Sequence, residues 1–154
     1  MSPGTVSAIY IGDTRGGPLS SVNAVRAISG HGLQGDRYFQ DAAIPPENRK
    51  PDIEITLIES EAIDALQRED SIALEASQCR RNVVTRGVAL NHLVGKEFRI
   101  GNVTLKGMRL CEPCGHLEKM TQPGVIKGLM HRGGLRAAIL ADGEIHVGDV
   151  VDAD

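Results

Sequence analysis

The apolar residues of this chain come in short runs, each cut off by a turn former, and that punctuation restricts the fold more than any bulk property. Residues 6–11, 22–28, 53–58, 80–86, 98–100, 103–110, 135–141, 144–147 and 150–151 are rich in branched side chains and short enough for strands. Eighteen glycines in 154 residues supply the turns. Gly101-Asn102 and Asp142-Gly143 each read as a two-residue hairpin turn. In the second run Val22, Ala24 and Ile28 share one face and Val25 takes the other. In the third, Ile53, Ile55 and Leu57 alternate with Glu54 and Thr56, the pattern of a half-buried strand.

Helical spacing is rarer. Ser60 reads as an N-cap, with Glu61 and Asp64 near the positive end of a helix that runs to about Arg68 and buries Ala62, Ile63 and Leu66. Residues 89–94 suggest one helical turn closed by Gly95. Pro123 suits a first helical position, with Val125, Ile126, Leu129 and Met130 on one face and Gly133-Gly134 as the stop. Residues 40–52 are polar and carry Pro45, Pro46 and Pro51, so a mobile surface loop is expected there. The sum is a mainly β chain, β-rich α+β in class: an antiparallel β-barrel with a few short helices, one domain over residues 1–154.

Composition narrows the function. A net charge of -3, 3% aromatic residues and no Trp argue against a nucleic-acid surface, which wants a basic face and stacking platforms. No apolar run approaches the ~20 residues of a membrane-spanning helix. The first residues lack the basic stretch and apolar run of a secretion signal. Three cysteines without such a signal are expected to be reduced thiols, which places the protein in the cytoplasm.

The residues that suggest chemistry are Cys111-Glu112-Pro113-Cys114 and a scatter of arginines, Arg37, Arg80, Arg81 and Arg109. A CxxC is ambiguous. It can be half of a zinc site, completed by Cys79, His92, His116 or His131, or a dithiol redox centre, or a place where one thiol matters. A non-catalytic binding module with structural or zinc-binding thiols is therefore one reading. Gly32-Leu33-Gln34-Gly35-Asp36-Arg37 matches neither standard phosphate loop, but turns backbone N–H groups toward one point and follows them with an arginine. Arg80, Arg81 and Asn82 read as strand, so Arg80 and Asn82 share a face and only one of the two arginines reaches a given site. A guanidinium and an amide together suit a phosphate and the edge of a heterocycle. No nucleophile-and-base pair of a hydrolase is apparent.

Taken in order, Gly32-x-x-Gly35-Asp36-Arg37, Arg81-Asn82, Gly87, Leu90, Leu93, Gly95, Phe98, Gly101, and Pro113-Cys114 followed by Leu117 resemble the MOSC domain, the C-terminal domain of molybdenum cofactor sulfurases. Gly133-Gly134-Leu135-Arg136 and the ending Ile145-His146-Val147-Gly148-Asp149-Val150 resemble its small stand-alone bacterial members. The resemblance implies a mostly antiparallel barrel that binds molybdenum cofactor (molybdopterin), with Cys114 as the metal or sulfur ligand and Cys111 as an accessory thiol. It implies anion-binding roles for Arg37, Arg80, Arg81, Asn82 and Arg136. It further implies reduction of N-hydroxylated compounds, or carriage of cofactor or sulfur, with a redox or sulfur-donor protein as partner.

Overall fold

The computed structural model describes residues 3–153. Its strands are β1 (Gly4–Ile11), β2 (Ser20–Val22), β3 (Ala24–Ile28), β4 (Gly32–Leu33), β5 (Ile55–Glu59), β6 (Val83–Arg86), β7 (Glu97–Ile100), β8 (Val103–Leu110), β9 (Leu135–Ala141), β10 (Gly143–His146) and β11 (Val150–Asp152). Three short helices join them: α1 (Ser60–Asp70), α2 (Gly115–Met120) and α3 (Val125–Leu129). Seven strands form a ring in the order β11, β7, β8, β9, β5, β6, β1, closed by pairing of Gly4 and Thr5 with Val151 and Val150. The fold is thus the expected β-barrel. Every neighbouring pair in the ring is antiparallel except β5 and β6. A parallel pair needs a crossover, and α1 supplies it on the outside of the barrel.

Inward-facing Val6, Ile9, Ile55, Leu57, Val83, Phe98, Ile100, Leu105, Leu135 and Ile139 fill the ring. A second sheet, β10-β3-β4, adds Val25, Ala27, Leu33 and Ile145 to the same core. On the outer face, Ala62 and Leu66 of α1 pack with Leu117 of α2 and Val125 and Leu129 of α3.

Several local expectations are corrected. Asp142-Gly143 does not turn a hairpin: β10 leaves β9 and pairs with β3. The Asp142 carboxylate accepts from the Ser29 N–H at 2.7 Å, which ties the turn to the end of β3. The run at 22–28 breaks into two strands at Asn23, and Val25 with Ala27 face the core while Ala24 and Ile28 are only half-buried. The strand at 55–59 is buried on both faces, because Ile58 packs outward against Cys79 and Val84. Even Glu54, just before it, is 4% exposed. The loop at 40–52 stays a largely exposed surface segment; it holds two 3-10 turns, Pro46–Asn48 and Pro51–Ile53, and Gln40 binds Lys50 through both its amide groups. Pro123 lies before Gly124, the N-cap of α3, so it precedes the helix instead of opening it. Ser60 is the first helical residue, with Glu59 at the cap, and the helix continues to Asp70.

Candidate functional site: a cationic cleft around Cys114

Where β8 ends, the chain runs into Cys111–Cys114 and is held at several points. The Cys111 N–H donates to the Gly134 carbonyl at 2.7 Å, and its own carbonyl accepts from Arg81 Nη2 at 3.0 Å. Both oxygens of Glu112 accept from His131, one from its backbone N–H and one from ring Nδ1, each at 2.8 Å. The approach is so close that a Cβ at Gly133 would overlap the Cys111 carbonyl and the Pro113 ring. Gly134, at φ +118, passes equally close to the Leu57 carbonyl, a position only glycine fills without strain. Pro113 is buried, and Cys114 emerges exposed as the N-cap residue of α2, whose Leu117 is locked into the helical cluster.

Cys114 opens onto a cleft of about 340 Å³ that is also lined by Arg15, Arg37, Lys50, Arg80, Arg81, Arg109 and Arg136. Glu112 is the sole carboxylate among the lining residues, and His131 holds it. Strand register explains one wall. Arg136 on β9 lies directly opposite Thr56 on β5 and Arg109 on β8, so all three share a face. A register irregularity between Gly107 and Arg109 accompanies this aim. The Asp52 carboxylate accepts from Arg109 Nε at 2.8 Å; that bond draws its pKa below the ordinary carboxylate value and fixes the guanidinium on the cleft wall.

The opposite wall is built from turns. The Arg37 side chain is 3% exposed, donates to Asp36 at 2.8 Å and to the Arg80 carbonyl at 3.2 Å, and still has a buried Nε without a partner. Arg136 Nε is likewise buried and unpartnered. Both residues line the cleft and carry a fixed positive charge to it, although these two Nε atoms are themselves shielded from solvent. Tyr38 stands between Arg15 and Arg37, whose guanidinium carbons lie 4.9 and 4.7 Å from its ring centroid. Arg80 donates to the Gly17 carbonyl at 2.8 Å, and burial followed by the charge of Arg37 lowers its pKa.

Of the residues expected at a site, Cys114, Arg37, Arg80, Arg81 and Arg136 line this one cleft and Asn82 does not. The Asn82 amide is occupied with scaffold: its carbonyl accepts from Thr56 N–H and Oγ1, and its NH₂ donates to the Tyr10 carbonyl. Arg80 and Arg81 both line the cleft instead of diverging as strand neighbours would. Arg80 has φ 61 and caps the 3-10 turn Ala76–Cys79, and β6 begins only at Val83, so strand alternation does not apply. Arg81, 9% exposed, donates to the Gly133, Cys79 and Cys111 carbonyls at 2.7, 3.2 and 3.0 Å, a structural clamp behind the cysteine segment. Arg15, Tyr38 and Lys50 were not legible as site residues. Arg15 alone carried a hint, a base in the Gly16-Gly17-Pro18 turn after β1.

Among the described residues no group of three or more His, Cys, Asp or Glu side chains is placed to hold a metal ion. Cys79 is enclosed by Ile58 and Val84, and burial pushes its thiol up to about 11. A larger cavity, about 530 Å³, lies beside the ring closure near Gly87, His92 and Lys96; no cysteine or arginine lines it. Among the described residues no helix is long and apolar enough to cross a membrane.

Comparison with known proteins agrees with this architecture. The structure is similar to the YuaD protein from Bacillus subtilis, with a TM-score of 0.78 at 17% identity over 96% of this chain and 94% of that one. It is also similar to YiiM from Geobacillus stearothermophilus, TM-score 0.72 at 16% identity, covering 99% and 75% of the two chains. YiiM from Escherichia coli gives 0.68 at 14%, covering 97% and 69%. At such identities the likeness concerns the fold. No curated protein sequence matches the chain. The model of the MOSC domain matches residues 45–152. The chain belongs to the MOSC domain family, which is associated in general with molybdenum cofactor binding.

Proposed function

We propose that the cleft binds molybdenum cofactor and that Cys114 is the protein's ligand to the metal. The observation that carries this reading is a single exposed thiol opening onto a cleft walled by six arginines and a lysine. The donor set suits the group: a thiolate is a soft ligand, and the arginines that line the cleft, Arg37 and Arg136 among them, suit an anion such as the cofactor's phosphate. When bound, the cofactor supplies a molybdenum centre held by dithiolene sulfurs that exchanges electrons with a substrate.

This chain's own residues bind and position. Arg136, Arg109 and Lys50 provide one cationic wall, and Arg37 and Arg80 the other. Arg81 acts from behind by fixing the carbonyls of Cys111 and Gly133, which sets where Cys114 begins α2. Tyr38 stacks with Arg15 and Arg37 and so holds both guanidiniums at the cleft. In this reading the protein reduces N-hydroxylated compounds with electrons from a redox partner, or carries cofactor or sulfur between proteins.

The test is elemental and pterin analysis of protein purified anaerobically from a host that makes the cofactor, beside Cys114→Ser. Molybdenum with pterin in the wild type, and none in the variant, is the expected result. Zinc, or no metal, in both proteins overturns the proposal.

A further inference from the structure

Beyond the cofactor, the geometry around Arg80 speaks to what else the cleft accepts. Arg80 lines two cavities: the cationic cleft and a second pocket of about 220 Å³ formed by Pro18, Leu19, Ser77, Gln78, Met120 and Thr121. The two are neighbours that share this residue. The second pocket carries no charged side chain other than Arg80, and Leu19, Pro18 and Met120 give it an apolar side. Met120 is 42% exposed. Its place follows from α2, which begins at Cys114 and ends at Met120, so the pocket lies about 9 Å of helix rise away from the thiol.

Arg80 itself is held in an uncommon state. It is one of three non-glycine residues with positive φ among those described, and its side chain is tied to the Gly17 carbonyl of the neighbouring turn. Strain of this kind persists where surrounding structure fixes it and concentrates at ligand sites. Here the Nη1 bond to the Gly17 carbonyl also ties Arg80 to the turn that leads into Pro18 and Leu19.

We infer that the substrate of this cleft is a small anion with an apolar or aromatic group, the anion meeting Arg80 and the apolar group lodging against Leu19 and Met120. The inference rests on the proposed function only in taking the cleft as the reacting site. A carboxylate or phosphate alone would leave the second pocket to water. A long lipid would exceed its volume. A single ring or short branched chain matches both the space and the lining.

The probes are methyl phosphate and phenyl phosphate, whose affinities for the full, cofactor-free chain are measured by calorimetry above the second ionisation of both esters. Equal charge isolates the ring. The phenyl ester is expected to bind about tenfold more tightly or better, the gain from burying most of one ring. In the double variant Leu19→Asn, Met120→Gln that gain is expected to vanish while methyl phosphate binds as before, which also shows that the variant is folded. Equal affinity of the two esters for the wild type overturns the inference, as does a gain that survives the double variant. Failure of both esters to bind would overturn the anion-cleft reading beneath it as well, so the two failures are distinguishable.

Discussion

Arg81 and Cys111, separated by thirty residues, are joined by one hydrogen bond from Nη2 to the Cys111 carbonyl oxygen at 3.0 Å. The same guanidinium reaches the carbonyls of Gly133 and Cys79. One buried cation therefore sets the spacing between the cysteine segment, the glycine pair and the approach to β6. Removing it leaves three carbonyls without a donor.

Arg81→Ala is expected to lose about 3 kcal/mol or more in chemical denaturation, since each buried polar group left unpaired costs about 1–3 kcal/mol. Arg81→Lys should recover only part of this, because an ammonium cannot present the same planar fork to three acceptors. A loss below about 1 kcal/mol for the alanine variant would show that the clamp is dispensable.

The three thiols should differ sharply in reactivity. Cys114 is exposed, Cys111 is 2% exposed, and Cys79 is enclosed with its thiol raised to about 11. An aromatic disulfide reagent at neutral pH is expected to titrate one thiol in the native protein and three in denaturant, with Cys114→Ser abolishing the native reaction. Rapid native labelling of Cys79 would contradict its placement.

Stability should fall as pH rises through the weakly acidic range. Burial raises the pKa of Glu54, which accepts from the Ile139 N–H at 2.9 Å, and burial raises that of Glu59 as well. A carboxyl whose folded pKa lies above its unfolded value favours the folded state most when protonated. That contribution is complete below the ordinary value of 4.5 and is lost as pH climbs through the raised folded value. Asp52 and Glu69 are shifted downward, so their stabilisation is lost only as pH falls below their ordinary values. Denaturation midpoints measured across this range should decline with pH in the wild type and decline less in Glu54→Gln. An unchanged slope in the variant would assign the effect elsewhere.

Anion binding in the cleft should be salt-sensitive and should depend on Arg136. Arg136→Gln is expected to weaken phosphate binding about ten- to hundredfold, in line with the roughly 1.5–3 kcal/mol of a charge-assisted hydrogen bond. Raising ionic strength should weaken the wild type more than the variant, as one fewer cation is left to screen. Unaltered affinity in Arg136→Gln would place the anion on the other wall.

The barrel was legible because alternating branched residues and glycine turns act locally: runs at 98–100, 103–110 and 135–141 became strands with nearly those limits. What local pattern could not convey was partner choice. Asp142-Gly143 carries an ideal hairpin dipeptide, yet Ser29, far away in sequence, captures the Asp142 carboxylate and β10 pairs with β3. Glu54 read as the solvent side of a strand because a charge is normally exposed; its burial depends on Ile139, which supplies a donor from another strand. Arg37, Arg80, Arg81 and Arg109 stood out by type, whereas Cys114 as the chosen thiol and Arg136 emerged only through the resemblance to the MOSC domain. The three-carbonyl duty of Arg81, the scaffold role of Asn82 and the clasp of Tyr38 between two arginines are long-range arrangements with no local signature.

The ring is fastened by one short strand. Gly4 and Thr5 meet Val150 and Val151, and β11 also lies along β7. Three residues therefore cover two strand edges at once. Whenever β11 is out of place, the facing sides of β1 and β7 both stand open as unpaired edges, and the molecule is then most exposed to strand-to-strand association with other copies of itself.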